Sequence, residues 1–144
     1  MIDNKTFYES VVKNGVVPRK SYFAEFPYHI DEKYYKSFIL GVYDGDGCLY
    51  NYRAKNANTI TFTGTSQLIN SIGDIIEENL DIKKHVHIAQ NSKIVDKNTR
   101  VLMFGGNIQV EKFLKWLYED EPIYLQRKYN KYCSLYNVDN SLSD

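Results

Sequence analysis

Apolar residues spaced three and four positions apart predict a first long helix over residues 31–44. The residues that share this spacing are Tyr34, Tyr35, Phe38, Ile39 and Val42. Asp31 precedes them as a suitable N-cap, and Gly45 and Gly47 end the pattern. Residues 1–28 hold only a short helical stretch and two chain breaks. We therefore expect an N-terminal helical appendage and linker there, and a single domain over residues 29–144.

The rest of the chain alternates between strand and helix patterns. Strand-like alternation of apolar and polar residues occurs in two pairs of segments, 48–52 with 59–63 and 85–90 with 100–104. Helical spacing occurs at 66–79, 108–117 and 124–136. Two strand pairs separated by a helix favour antiparallel pairing, because parallel neighbours need a crossover between them. The predicted fold is α+β, with a four-stranded antiparallel sheet covered by helices on one face.

Composition narrows the class of protein. A chain of 144 residues with 43% hydrophobic and 15% aromatic residues is not intrinsically disordered, and two cysteines do not make a disulfide framework. We expect Cys48 to be a buried free thiol. No apolar run is long enough to span a bilayer, and the first residues lack the character of a signal peptide. A cytoplasmic protein with no membrane partner is the expectation.

The charges are distributed unevenly along the chain. The totals balance, with 18 Lys plus Arg against 18 Asp plus Glu, which by itself disfavours a nucleic-acid partner. The two predicted hairpins, 47–64 and 83–105, however, carry seven basic residues and one acidic residue. A basic, polar sheet is a plausible surface for duplex DNA. Lysines that protect strand edges are the alternative explanation.

The most informative stretch is Ile39 to Gly47, with the sequence ILGVYDGDG. Glycine occupies its third and ninth positions, acids its sixth and eighth, and apolar or aromatic residues its first, second, fourth and fifth. This pattern resembles the LAGLIDADG motif, the signature of one class of homing endonucleases. A plain acidic turn is the alternative. A calcium loop of the EF-hand kind does not fit, because its twelfth position, counted from Asp44, is Lys55 rather than Glu.

The spacing within the motif has a physical consequence. Ser37, Gly41 and Gly45 recur every four residues, so they leave one side of a helix almost without side chains. Two such helices could pack closely and bring two copies of Asp46 together. Paired carboxylates form a hard-oxygen site suited to Mg²⁺ and to hydrolysis of a phosphodiester. For Asp44 we expect a structural role, as a cap or hydrogen-bond partner near the helix end.

The resemblance covers about residues 29–136 and includes the order of elements, αββαββα, with the motif on the first helix. Two further stretches, 15–21 and 118–129, resemble the phage and bacterial branch of the family. The resemblance implies an endonuclease of a mobile genetic element that cuts specific double-stranded DNA with Mg²⁺ or another divalent cation. Because the chain carries one motif, it also implies a homodimer or pairing with a second LAGLIDADG module. The host compartment, bacterial, phage or organellar, stays open.

The family's residue roles transfer to several positions. Asp46 corresponds to the catalytic, metal-binding acid, and the Gly45 carbonyl to a neighbouring ligand. The corresponding DNA contacts are Tyr50, Tyr52, Arg53, Lys55, Thr59, Thr61, Thr63, His85, His87, Lys93 and Arg100. Ser66 and Gln109 stand nearest to the residues that support the attacking water in the family, where Lys or Gln is usual.

Two alternatives follow from these residues. The departure at Ser66 and Gln109 keeps open a non-cleaving relative of the family, either an RNA maturase or a DNA-binding regulator. His85 and His87 could instead be two metal ligands, although no third ligand with suitable spacing is visible.

The basic cluster Arg127, Lys128 and Lys131 is either a solvated helix face or a set of phosphate contacts.

Overall fold

Helices and strands follow one another in the predicted order. The computed structural model describes residues 25–52, 57–89, 98–121 and 123–139. A 3₁₀ turn, Glu32–Tyr34, leads into α1 (Tyr35–Asp46), which is followed by β1 (Cys48–Tyr52), β2 (Ala57–Thr65), α2 (Ser66–Leu80), β3 (His85–Ile88), β4 (Thr99–Gly105), α3 (Asn107–Tyr118) and α4 (Gln126–Tyr136). The helical stretch predicted within residues 1–28 lies outside the described residues.

The four strands form one antiparallel sheet in the order β1-β2-β4-β3. Its register aligns one residue from every strand in a row, Cys48 on Thr61, Thr61 on Met103 and Met103 on His85. The two hairpins therefore meet through their second strands, β2 and β4. The predicted α+β fold with a four-stranded antiparallel sheet is confirmed.

Strand alternation assigns each residue of the sheet to one of two faces. In β2, Ile60 and Phe62 are fully buried, whereas Thr63 is exposed. In β4, Leu102 and Phe104 are buried in the same way, and the intervening Met103 is exposed. These apolar residues pack against α1, α2 and α3, so the described helices cover one face of the sheet. The threonine face is the opposite one.

Aromatic rings fill the centre of the core. Phe113 of α3 makes edge-to-face contacts with Phe104, at 5.0 Å between ring centroids, and with Phe62 and Tyr43 at 6.0 and 6.2 Å. Phe26 is buried too, and its backbone N–H donates to Gln67 Oε1 at 2.7 Å. The core therefore includes a residue that precedes the predicted start of the domain at residue 29.

The first helix ends later than predicted. Gly45 lies inside α1, which continues to Asp46 and has Gly47 as its C-cap, so the predicted end at residue 44 is wrong. A Cβ built on Gly47 would lie 2.8 Å from the Tyr43 carbonyl oxygen and 2.6 Å from the Tyr43 ring. This close approach explains why the C-cap position is a glycine.

The longest described helix, α2, has 15 residues and begins at the Thr65 N-cap, whose Oγ1 accepts a hydrogen bond from the Leu68 N–H. One side of α2 is buried against the sheet, while Asp74, Glu77 and Glu78 are exposed. None of the described helices combines the length and apolar character needed to cross a membrane.

Candidate functional site

The two acids of the motif occupy different environments at the end of α1. Asp46 is the last residue of the helix and is exposed. Asp44 is partly buried, and its Oδ2 accepts a hydrogen bond from the Leu125 N–H at 2.9 Å. Asp44 therefore lies inside α1 rather than at its cap, and it joins α1 to the segment before α4. Of the two carboxylates, only that of Asp46 is exposed to solvent.

The small residues of the motif form an open stripe along α1. Ser37, Gly41 and Gly45 are all exposed, and a Cβ built on either glycine would meet no other described atom within 4 Å. Ser37 Oγ donates to Glu121 Oε1 at 2.9 Å. Beside the stripe lies a groove of about 820 Å³, whose lining includes Tyr34, Leu40, Gly41, Asp44 and Ile123. Packing against the described residues therefore does not require glycine at position 41 or 45.

The sheet face opposite the helices carries most of the predicted DNA contacts that the structure describes. Its first row contains Tyr50 and Thr59, its second Cys48, Thr61, Met103 and His85, and its third Thr63, Val101 and His87. We call the residues of these three rows the open face. Its outer strands, β1 and β3, lie about 14 Å apart. The prediction that Cys48 is buried is wrong, because its position at the start of the edge strand β1 leaves it exposed.

Asp46 lies next to the open face. Only Gly47 separates it from Cys48, the residue that begins the second row, so the two Cα atoms are at most about 7 Å apart. The end of α1 and the polar side of the sheet therefore meet at one edge of the molecule.

The basic residues predicted to contact DNA are only partly described. Arg53, Lys55 and Lys93 lie outside the described residues, as does the side chain of Tyr52. Arg100 has the same strand parity as Leu102, so it lies on the helix side of the sheet rather than on the open face. Among described residues, the open face is thus formed by hydroxyl, imidazole, phenol, thiol and apolar groups.

The two residues proposed to support catalysis are far apart. Ser66 follows the end of β2 at Thr65, and its N–H donates to the Asn98 carbonyl at 2.8 Å. Gln109 is exposed in the first turn of α3, beyond the end of β4 at Gly105. Because Thr65 and Gly105 lie at opposite ends of the β2–β4 ladder, roughly 20 Å separates these ends of the sheet.

Lysines of α4 make contacts that the sequence did not indicate. Lys128 Nζ donates to the Tyr43 carbonyl oxygen and, at 2.6 Å, to the Gly47 carbonyl oxygen, and it lies 4.8 Å from the centroid of the Tyr43 ring. Lys131 Nζ donates to the Leu49 carbonyl oxygen. Burial lowers the pKa of Lys128, partly offset by neighbouring acidic groups. Lys128 and Lys131 are three residues apart and so lie on one face of α4, which was the sequence signal that they could act together.

The two lysines of the basic cluster differ in exposure. Lys128 is partly buried, and its ammonium group is bonded to backbone carbonyls of the α1–β1 junction, so it does not lie on a solvated face. Lys131 is exposed, as expected of a solvated helix face, and it also donates to the Leu49 carbonyl. Arg127 is exposed.

The donor atoms at the end of α1 suit a hard cation. The Asp46 carboxylate and the Gly45 carbonyl are oxygen ligands of the kind that Mg²⁺ prefers. Across the described ranges, however, no three His, Cys, Asp or Glu side chains converge. If a cation binds there, further oxygen ligands would have to come from a second chain or a phosphate.

No protein-family model matches the chain, and no curated protein is significantly similar to it.

Proposed function

We propose that this protein is a LAGLIDADG-type homing endonuclease, which hydrolyses specific double-stranded DNA as a homodimer with Mg²⁺ or another divalent cation. The observation that carries the proposal is the position of Asp46. Its exposed carboxylate ends a helix with an open small-residue stripe, and it adjoins the open face of the sheet. The αββαββα order, with the motif on the first helix, supports the same family.

The open face supports DNA as the substrate. Its width of about 14 Å is comparable to the roughly 12 Å of the major groove. Threonine hydroxyls and histidine rings on this face can donate to and accept from base edges. Arg53, Lys55 and Lys93, predicted at the hairpin ends, would contact phosphates, which position the protein on the duplex.

The α1 stripe supports a homodimer. Glycine in a helix interior costs about 1 kcal/mol relative to alanine, and α1 contains two glycines that its packing against the described part of the chain does not require. Close approach of a second α1 explains both, because a side chain there would hold the helices apart. A pairing about a two-fold axis also places two copies of Asp46 near each other.

The chemistry is divided between the residues and the cation. Asp46 from each chain would hold the cation, which activates water and stabilises charge on the scissile phosphate. The open faces hold the two sides of the target in register, and Asp44 keeps the segment before α4 attached to α1. A single chain positions half of these groups.

Asp46→Asn tests the proposed reaction. The target is first recovered by binding selection from a randomised duplex library, and cleavage is then measured with Mg²⁺. We expect the single-turnover rate of the variant to fall at least about 100-fold. A loss of this order follows the removal of one general acid–base or electrostatic catalytic group. Duplex affinity measured in Ca²⁺ should stay within about twofold. The exposed Glu78→Gln change on α2 is the control and should cut normally. Equal cleavage by Asp46→Asn and the parent would refute the mechanism.

The placement of Ser66 and Gln109 favours one alternative, a non-cleaving nucleic-acid-binding protein of the same fold. Because they lie at opposite ends of the β2–β4 ladder, they do not form one water-activating pair. Salt-dependent binding to a selected duplex or RNA, without cleavage by the parent at any Mg²⁺ concentration, would identify this function.

A further inference from the structure

We propose that Lys128 is the positioning residue for Asp46. This inference rests on the proposed function, in which the Asp46 carboxylate holds a divalent cation. Lys128 does not touch the substrate or cation in this role. It acts through the backbone of the last turn of α1, which carries Asp46.

The contacts show how one segment holds the α1–β1 junction. Leu125 N–H donates to Asp44, and Lys128 donates to the carbonyls of Tyr43 and Gly47. Lys131 extends the set to the Leu49 carbonyl at the start of β1. Lys128 therefore binds the backbone on both sides of residues 44–46. The backbone that presents Asp46 is held at two points by a single ammonium group.

Electrostatics favours a positively charged side chain at the C-terminal end of α1. The last carbonyls of a helix carry partial negative charge, so a lysine that bonds them stabilises the helix end. Hydrogen bonds from a charged donor are also stronger than neutral ones. The face of the Tyr43 ring, fully buried in the core, adds a cation–π contact that limits where the ammonium can move. These contacts favour one position for Lys128 and therefore one conformation of the turn.

A positioning role and a simple charge effect predict opposite changes. If Lys128 were only a nearby positive charge, its removal would strengthen cation binding, because like charges repel. If it holds the turn in place, its removal would weaken cation binding, as the loss of groups that orient metal ligands does.

The experiment is a titration of the isotope-labelled full chain with Mn²⁺ alone, followed by paramagnetic broadening of the amide signals of residues 45–47. We expect Lys128→Met to weaken Mn²⁺ binding roughly tenfold. Exchange of the Gly47 N–H, which donates to the Tyr43 carbonyl, should become roughly fivefold faster. Lys128→Arg, which keeps the charge and the donors, should restore most of the affinity.

Two variants of α4 serve as matched controls. Arg127→Met removes an exposed charge from the neighbouring position and should leave Mn²⁺ binding unchanged or slightly stronger. Lys131→Met removes the comparable bond to Leu49 and should lower stability without a change in Mn²⁺ affinity.

The outcomes separate this inference from the proposed function. If the parent broadens at residues 45–47 and Lys128→Met binds Mn²⁺ equally well or more tightly, the positioning role is refuted and the metal site stands. The same conclusion follows if Lys131→Met weakens binding as much as Lys128→Met. If the parent shows no broadening there up to millimolar Mn²⁺, the metal site fails and the positioning role fails with it.

Discussion

At the scale of single residues, polar groups only a few positions apart in sequence have opposite environments. Asp46 is exposed, while Asp44 Oδ1 is buried and has no hydrogen-bond partner among the described residues. The hydroxyls of Tyr43 and Tyr118 are likewise buried without a described partner. Burial raises the pKa of Tyr118, and the Coulombic effects of Tyr43 and Asp44 raise it further.

Tyr118→Phe tests whether this buried hydroxyl is a cost to the fold. A buried polar group without a hydrogen bond is unfavourable by about 1–3 kcal/mol. We therefore expect the variant to unfold at higher denaturant concentration, with a gain of up to about 1 kcal/mol in the free energy of unfolding. A loss of stability instead would indicate a bound water that bridges Tyr118 to Asp44 or Tyr43.

At the scale of secondary-structure elements, α1 has two sides with different requirements. Ile39, Leu40 and Tyr43 are buried in the core, where they determine how the helix packs on the sheet. The stripe of Ser37, Gly41 and Gly45 does not take part in that packing. An element whose buried side is complete and whose other side is unusually bare is suited to a second helix.

Gly41→Ala should affect folding and association in opposite directions. In the dilute monomer, we expect the free energy of unfolding to rise by up to about 1 kcal/mol, because alanine is the better helix former. In the proposed dimer, the added methyl group should weaken association at least about tenfold, because interhelical packing tolerates little extra volume. Sedimentation velocity and chemical denaturation measure the two effects.

One outcome of the Gly41→Ala experiment would contradict the proposed dimer contact. If association is unchanged while monomer stability rises, then the stripe is not the dimer contact. Glu78→Ala on the exposed side of α2 is the control, and it should leave association unaltered.

At the scale of the whole molecule, tyrosine rings join the last two helices to each other. Tyr118, Tyr124, Tyr129 and Tyr132 form a cluster with ring centroids 4.5 to 6.0 Å apart, which joins α3 to α4. Burial raises the pKa of Tyr43 and Tyr118 well above the ordinary value of 10.0 and raises that of Tyr129 to about 12. The folded state therefore favours the protonated form of these tyrosines.

Alkaline unfolding follows from these raised pKa values. Above pH 10 the unfolded chain loses tyrosine protons that the folded chain retains, so stability is fully present below about pH 10 and falls as the pH rises. Each fully buried tyrosine contributes a slope of up to about 1.4 kcal/mol per pH unit. Denaturation at pH 9 to 12 measures the slope, and Tyr118→Phe should reduce it by about one tyrosine's share. An unchanged slope in that variant would contradict the assignment.

The order of elements followed from the sequence alone. Period-two alternation in β2 and β4 and helical spacing in α2 and α3 predicted which residues face the core, because burial of apolar side chains dominates folding. The α+β class and the antiparallel sheet followed from that order. The motif at residues 39–47 likewise predicted that Asp46 lies near the end of α1 and that small residues form a stripe along it, since both features depend on local spacing.

Only the tertiary structure decided which distant groups meet. The contacts of Lys128 with Tyr43 and Gly47 join positions more than 80 residues apart, and no local pattern encodes them. The close approach of Gly47 to Tyr43, which leaves no room for a Cβ at the C-cap of α1, is likewise a tertiary feature. Strand register determined that Arg100 lies on the helix side and that Ser66 and Gln109 are separated. Sequence periodicity specifies which face of an element is buried, but what lies against that face depends on the packing of the whole chain.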